Sequence, residues 1–326
     1  MAAPTRGVVD VPALVERARG RDPRAVGRLI SLVEQESPLM REASALLAPY
    51  AGSAHVIGIT GAPGVGKSTS TSALVAQLRR HGARVGVLAI DPTSPFSGGA
   101  LLGDRVRMQP HTTDPDVFVR SMATRGQLGG LSLATPQALR VLDAAGFDVV
   151  IVETVGVGQS EIEIAGLADT TVVLLAPGMG DGIQAAKAGI LEIGDVYVVN
   201  KADRDGAAQV RRDLRTMLAP SSRPPDAWKP RILLTVANVG DGFEELAGAI
   251  GAHHAWLEAH GELTRRRTRR ARDEIEAITL ATLRFRLADA PVGKRLDDLA
   301  DSVVARERDP YSAADVLLEA VLRENL

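Results

Sequence analysis

The string Gly61-Ala62-Pro63-Gly64-Val65-Gly66-Lys67-Ser68 constrains this chain more than any other. It has the spacing G-x-x-x-x-G-K-S/T, follows the apolar run His55 to Thr60 and precedes a stretch of helical character. Strand, glycine-rich turn and helix in that order make a phosphate-binding loop. The glycines let backbone N–H groups face phosphate oxygens, and the helix N-terminus adds its positive dipole end. Lys67 is the expected counter-charge for the β and γ phosphates, and the Ser68 hydroxyl the expected Mg²⁺ ligand. Gly61 to Ser68, with Thr69 beside them, are therefore the expected phosphate-binding residues.

A loop of this kind sits on a parallel sheet, and the surrounding pattern agrees. Short apolar runs recur at His55 to Thr60, Arg84 to Ile90, Val117 to Ser121, Asp148 to Val152, Thr171 to Ala176, Val196 to Val199 and Arg231 to Thr235, mostly alternating with helical stretches. Strands apolar on both faces need helices on both sides, so the expected class is α/β with a mostly parallel sheet. Before the sheet, residues 10 to 48 read as helices, with Asp22-Pro23 as cap and first-turn proline and with Val26, Leu29, Ile30 and Val33 at helical spacing. After about residue 261 the strands stop. The run Arg265-Arg266-Arg267-Thr268-Arg269-Arg270 opens a long helical pattern and reads as a solvated helix face. Further helices are expected around Val292 to Arg306 and from Ser312, after Asp309-Pro310. The expected divisions are an N-terminal helical extension (1–50), a nucleotide-binding domain (51–261) and a helical tail (262–326).

Two further motifs define the nucleotide. Asn200-Lys201-Ala202-Asp203 ends a strand well downstream of the phosphate loop, where a base would lie. An Asp203 carboxylate only accepts hydrogen bonds, which suits the N1–H and N2–H₂ donors of guanine and nothing on adenine. A site built around such an acceptor rejects the analogue lacking the donors, so GTP and GDP are expected over ATP. Val236-Ala237-Asn238 lies near the base, with the Ala237 N–H expected at guanine O6. Between the two motifs, Glu153-Thr154-Val155-Gly156 follows the strand Asp148 to Val152. Glu153 supplies a carboxylate for the Mg²⁺ shell where common small GTPases carry aspartate, and Gly156 is the candidate γ-phosphate sensor.

Composition narrows the alternatives. Of 38 basic residues only Lys67, Lys187, Lys201, Lys229 and Lys294 are lysines, so two of five fall inside the nucleotide motifs. A formal charge of −2 gives no basic field for nucleic acid, and 3% aromatic residues leave little for base stacking. With no cysteine, the chain offers no thiolate metal ligand or cysteine nucleophile. No apolar stretch approaches spanning length and the first ten residues lack a secretory signal pattern, so a cytoplasmic protein is expected.

Asp91-Pro92-Thr93-Ser94-Pro95-Phe96, Gly103-Asp104-Arg105-Val106-Arg107-Met108, Arg120-Ser121-Met122-Ala123-Thr124-Arg125-Gly126 and Glu153 to Glu161 closely resemble the MeaB/ArgK family. These are GTPases associated with methylmalonyl-CoA mutase and relatives of the nickel-metallochaperone GTPases. The resemblance implies a homodimer with the tail as dimerisation arm, and a role in loading and protecting an adenosylcobalamin-dependent mutase. It places Asp91 and Asp104 near Mg²⁺ and the γ-phosphate, with Arg107 as a charge stabiliser. Gly178 to Lys187 looks like the family's additional switch, in which Asp181 and Lys187 exchange partners, although Gly182 stands where many relatives have an acid. Gln159 lies three residues beyond Gly156, too far along to be counted as the water-positioning residue.

Two rival readings remain. A metal-inserting chaperone needs soft or imidazole ligands. The chain offers only His55, His81, His111, His253, His254 and His260, and the last three read as a polar helix face. A protein kinase of a transport system needs an acceptor pocket and ATP, which the guanine motif disfavours. There is no D-x-H-x-x-G string for cobalamin, so that cofactor is expected to belong mainly to the partner.

Overall fold

The computed structural model describes residues 9–91, 111, 113–123, 134–154, 160–178, 189–219, 226–287 and 290–323. At 91, 160–161, 190–191, 290–293 and 321–323 only the backbone is described. The seven strands are β1 (His55–Thr60), β2 (Val85–Asp91), β3 (Val117–Ala123), β4 (Val149–Glu153), β5 (Thr170–Leu175), β6 (Val196–Asn200) and β7 (Arg231–Thr235). They form one sheet in the order β3-β2-β4-β1-β5-β6-β7, every pair parallel. The α/β expectation holds strand for strand.

Alternation explains why both faces need cover. Val56, Leu88, Ile90, Val150 and Val152 enter one core, with α1 (Val11–Arg19), α2 (Pro23–Glu34), α3 (Leu39–Leu47), α5 (Ala134–Ala144) and α6 (Ser160–Leu167). Ile57, Ile59, Val85, Val87, Val149 and Ile151 enter the other, with α4 (Lys67–Arg80) and α9 (Phe243–Ala259). A smaller cluster joins Val173, Tyr197 and Val199 to α8 (Ala207–Leu218), while α7 (Ile190–Ile193) is a single turn. Each of these fully buried aliphatic side chains contributes about 1.5–3 kcal/mol of transfer free energy.

The N-terminal helices are built as their sequence indicates. Asp22 accepts from the N–H groups of Arg24 (2.9 Å) and Ala25 (3.3 Å), and Pro23 opens the helix. Val26, Leu29, Ile30 and Val33 are all buried in the core shared with β2 and β4. These helices therefore pack on the sheet and have no separate core.

The chain divides into two compact units, Met1–Arg269 and Arg270–Leu326. The helix α10 (Glu262–Leu287) is followed by α11 (Ala290–Val304) and α12 (Pro310–Arg323). In the second unit Leu299, Ala313 and Leu317 form a small core with Leu283, Leu287, Val303 and Val316 against it. Ile275, Ile278 and Phe285 on the same long helix are exposed.

Two expectations are overturned at the amino-terminal ends of β5 and β6. Arg266 and Arg267 do not form a solvated face. Arg266 donates to both carboxylate oxygens of Asp195 (2.8 and 2.9 Å), and Arg267 Nη2 donates to Asp169 Oδ2 (2.9 Å) and to Ala54 O (2.9 Å). His253 is not on a polar face either, being fully buried. Thr170 Oγ1 lies 2.9 Å from both His253 Nδ1 and His55 Nε2, and the His55 and His254 rings lie 4.1 Å apart. The Trp228 ring packs 4.8 Å from His253 and 6.0 Å from Trp256, and Trp228 donates to Asp195 O.

This cluster makes stability sensitive to acid. Burial depresses His55 to about 3, helped by the neighbouring His254, and depresses His253 to about 4 despite Asp195 at 3.3 Å. Desolvation outweighs that one carboxylate, already engaged by Arg266, so both rings are neutral at pH 7. Because the folded values lie below the ordinary 6.5, the contribution is complete above that pH and is lost as pH falls, the unfolded chain taking protons that the folded chain refuses. Each histidine is expected to steepen the loss by roughly 1.4 kcal/mol per pH unit between about pH 6 and 4. Guanidinium unfolding at stepped pH checks this, and His253→Asn should remove about one proton from the slope; an unchanged slope would assign the acid sensitivity elsewhere.

Candidate functional site

In the strand order β1 and β5 are neighbours, and the connections leaving them, to β2 and to β6, run in opposite directions across the sheet. Ligands of open parallel sheets lie outside the carboxyl ends of strands at such a point. The loop 61–66 leaves β1 there and α4 begins at Lys67. Its shape depends on glycine at two close approaches. Gly61 has φ 143°, and a Cβ there would lie 2.3 Å from Leu174 O; Gly66 has φ 97°, and a Cβ there would lie 2.5 Å from Asn200 Nδ2. Both values lie where side chains are strained whatever the space. The loop is thus pressed against the carboxyl ends of β5 and β6.

Lys67 is buried, its ammonium donating to Gly61 O (2.7 Å) and Ala62 O (3.2 Å). Ser68 Oγ donates to Glu153 Oε1 at 2.6 Å, and Thr71 Oγ1 donates to Glu153 Oε2 at 2.8 Å. Glu153 ends β4, in register with Ile59 on one side and Ala89 on the other, and is 2% exposed. Val65 is buried, Ala62 and Thr69 are half-buried, and Pro63 and Gly64 are exposed.

Asn200 ends β6 and holds three segments together. Its Nδ2 donates to Val65 O (2.8 Å), while its Oδ1 accepts from Ala237 N (3.1 Å) and from Thr235 Oγ1 (3.2 Å). Lys201, at φ 58°, donates from Nζ to Gly64 O at 2.7 Å. The phosphate loop and the Asn200-Lys201 pair, more than a hundred residues apart, therefore share one hydrogen-bonded site. Asp203 and Asn238 are exposed beside it, and Val236 is half-buried where it bridges to Asp241. The Ala237 N–H, expected at guanine O6, here donates to Asn200. Asn200 therefore acts as the tie between loops.

With this geometry in place, comparison with known proteins identifies the family. A family model described as methylmalonyl-CoA mutase-associated GTPase MeaB matches residues 26–291. The chain belongs to the MeaB family. Among relatives of this MeaB-family chain, a candidate GTPase of Pyrococcus horikoshii is 47% identical, covering 96% of this chain and 98% of its own length. The GTPase ArgK of Escherichia coli is 38% identical, over 76% of this chain and 77% of its own. A mouse protein named methylmalonic aciduria type A homolog, mitochondrial, is 33% identical, over 81% of this chain and 65% of its own. A crystal structure of a protein called LAO/AO transport system kinase superposes with a TM-score of 0.71 at 27% identity, covering 97% of this chain and 99% of that one. The MeaB-family chain is a P-loop GTPase that binds and hydrolyses GTP.

Among the residues singled out from sequence, Gly61 to Thr69, Glu153, Asn200, Lys201, Asp203 and Val236 to Asn238 come together at this one end of the sheet. Asp91 is the last residue of β2, opposite Ala123, at the same carboxyl edge. Asp104, Arg107, Gly156, Gln159, Asp181, Gly182 and Lys187 lie outside the described residues. Thr71 and Thr235 were not anticipated. The signal for Thr71 was available, since it is a hydroxyl three positions after Ser68 and so on the same helical face.

Proposed function

We propose that this MeaB-family GTPase cycles between GTP and GDP to support assembly, cofactor loading and protection of an adenosylcobalamin-dependent methylmalonyl-CoA mutase. The observation that carries the nucleotide chemistry is the tie between the two motifs, Asn200 to Val65 O and Lys201 to Gly64 O. It brings the loop 61–66 and the Asn200-Lys201 pair to one place, two residues before Asp203, which supports adjoining phosphate and base sites. The mutase assignment is supported by the family's description and by the resemblance of the family-specific strings.

In this reading Lys67 neutralises the β and γ phosphates, and Gly61 to Thr69 supply the loop and helix end around them. Asp203 accepts from guanine, Val236, Ala237 and Asn238 border the base, and Gly156 senses the γ-phosphate. Water attacks the γ-phosphorus directly, and charge growing on the phosphate oxygens is stabilised by Lys67 and Arg107, with Asp104 serving as a carboxylate for the Mg²⁺ shell. The residues fit Mg²⁺, because Ser68 and Glu153 bring hard oxygen donors together and Asp91 ends β2 at the same carboxyl edge. Mg²⁺ held there would neutralise phosphate charge and orient the β and γ oxygens. With no glutamine placed beside Gly156 to orient the water, intrinsic turnover is slow and the partner accelerates it. The exposed Ile275, Ile278 and Phe285 support a homodimer through the tail. Among the described residues no helix is long and apolar enough to cross a membrane; work in the cytoplasm is part of this reading.

The rival readings have less support. The likeness to a structure called a transport system kinase is a likeness to that protein, and Asp203 favours guanine over the adenine a kinase would use. The test is the GTPase rate of the purified chain alone and with stoichiometric methylmalonyl-CoA mutase from the same organism, with ATP as control. GTP-specific stimulation by ten-fold or more, on the order expected when a partner completes a site, supports the mutase role. Hydrolysis without stimulation or complex formation would leave the GTPase and remove this partner.

A further inference from the structure

Thr71 has no place in the phosphate-loop pattern, which ends at Ser68, yet its side chain is completely buried at the centre of the site. Its hydroxyl donates to Glu153 Oε2 at 2.8 Å while Ser68 donates to Oε1 at 2.6 Å. One turn of α4 thus supplies a donor to each oxygen of the same buried carboxylate.

We propose that Thr71 is a positioning residue for the divalent cation of the GTPase cycle, acting through Glu153 on Ser68; the proposal rests on the GTPase reading of this site. A serine hydroxyl has one proton and two lone pairs. When the proton goes to Glu153, the oxygen presents lone pairs to a cation. That orientation lasts only while the carboxylate plane stays where it is. The last torsion of a glutamate side chain is broad and two-fold, so nothing intrinsic to Glu153 holds the plane. A second donor on the other oxygen does, and Thr71 is that donor. Outer groups that orient ligands typically change metal affinity by 10–100-fold when removed.

The test separates cation binding from nucleotide binding and from fold. Wild type, Thr71→Val and Thr71→Ser are loaded with a fluorescent methylanthraniloyl-GDP in EDTA, and Mg²⁺ is titrated while the bound fluorescence is read. Thr71→Val is expected to bind GDP in EDTA within about two-fold of wild type and to need roughly ten-fold more Mg²⁺ for half-saturation. Thr71→Ser, which keeps the donor, is expected to restore the wild-type midpoint. In a Glu153→Gln background Thr71→Val should add no further shift, because the two act through one contact. An unchanged midpoint in Thr71→Val, or equal shifts in the valine and serine variants, would overturn the proposal in favour of simple satisfaction of a buried carboxylate. If Thr71→Val fails to bind GDP in EDTA, Thr71→Cys, a weak donor of similar size, is read by the same two outcomes. Failure of the wild type to bind GDP under any condition would overturn the nucleotide reading itself and is distinguishable from both.

Discussion

Lys67→Ala is expected to lower single-turnover GTP hydrolysis by roughly 10²–10³-fold, the usual effect of removing one fixed donor from developing charge. The ammonium is buried and held by Gly61 O and Ala62 O, so the strand and loop that shape the site also fix this cation. Arginine would not replace it. A planar guanidinium is too large for a pocket made by two carbonyls of a glycine loop whose backbone lies against Leu174. Lys67→Arg should therefore fall with the alanine variant instead of rescuing it. Rapid-quench measurement at saturating GTP separates this from weaker binding, and a loss below about ten-fold would remove Lys67 from the charge-stabilising role.

The second large effect is a change of base. Asp203→Asn is expected to weaken GTP by about 10³-fold or more and to improve xanthosine triphosphate. Guanine offers two donors, N1–H and N2–H₂, to a carboxylate; xanthine carries a carbonyl in place of the amino group, which an asparagine amide satisfies. Asn200→Ala should behave differently. Asn200 ties Val65, Thr235 and Ala237 together, so its loss should weaken every nucleotide without exchanging one for another. Competition binding with GTP, ATP and xanthosine triphosphate distinguishes the two. Selectivity lost through Asn200 and unchanged by Asp203→Asn would reverse these assignments.

The sheet was legible because its inner strands are buried on both faces and so read as unbroken apolar runs, each ending at a loop. The placement of Glu153, Asn200 and Asp203 at one end of the sheet was legible for another reason: the order of their motifs along the chain after a phosphate loop. What escaped were roles set by distant partners. Nothing local to Arg266 and Arg267 reveals that Asp195 and Asp169 wait at the starts of β6 and β5, and a run of arginines on a helix ordinarily faces water. His253 was misread for the same reason, since its burial depends on Trp228 and Thr170 from other elements. Asn200 shows an intermediate case. Its position was right, but its amide spends its hydrogen bonds on the protein's own loops.

The chain has only two tryptophans, Trp228 and Trp256, and both stand by His253 at the ends of β5 and β6 opposite to the phosphate loop. Its ultraviolet emission therefore comes from one locality, the foot of the long helix, where Arg266 and Arg267 grip the strand starts. Trp228 is bonded at Asp195 O, just before β6, whereas Asn200 at the other end of that strand meets the phosphate loop. Any shift in that emission when GTP replaces GDP measures strain carried the length of the strands, so the unmodified protein is already labelled for watching its two ends communicate.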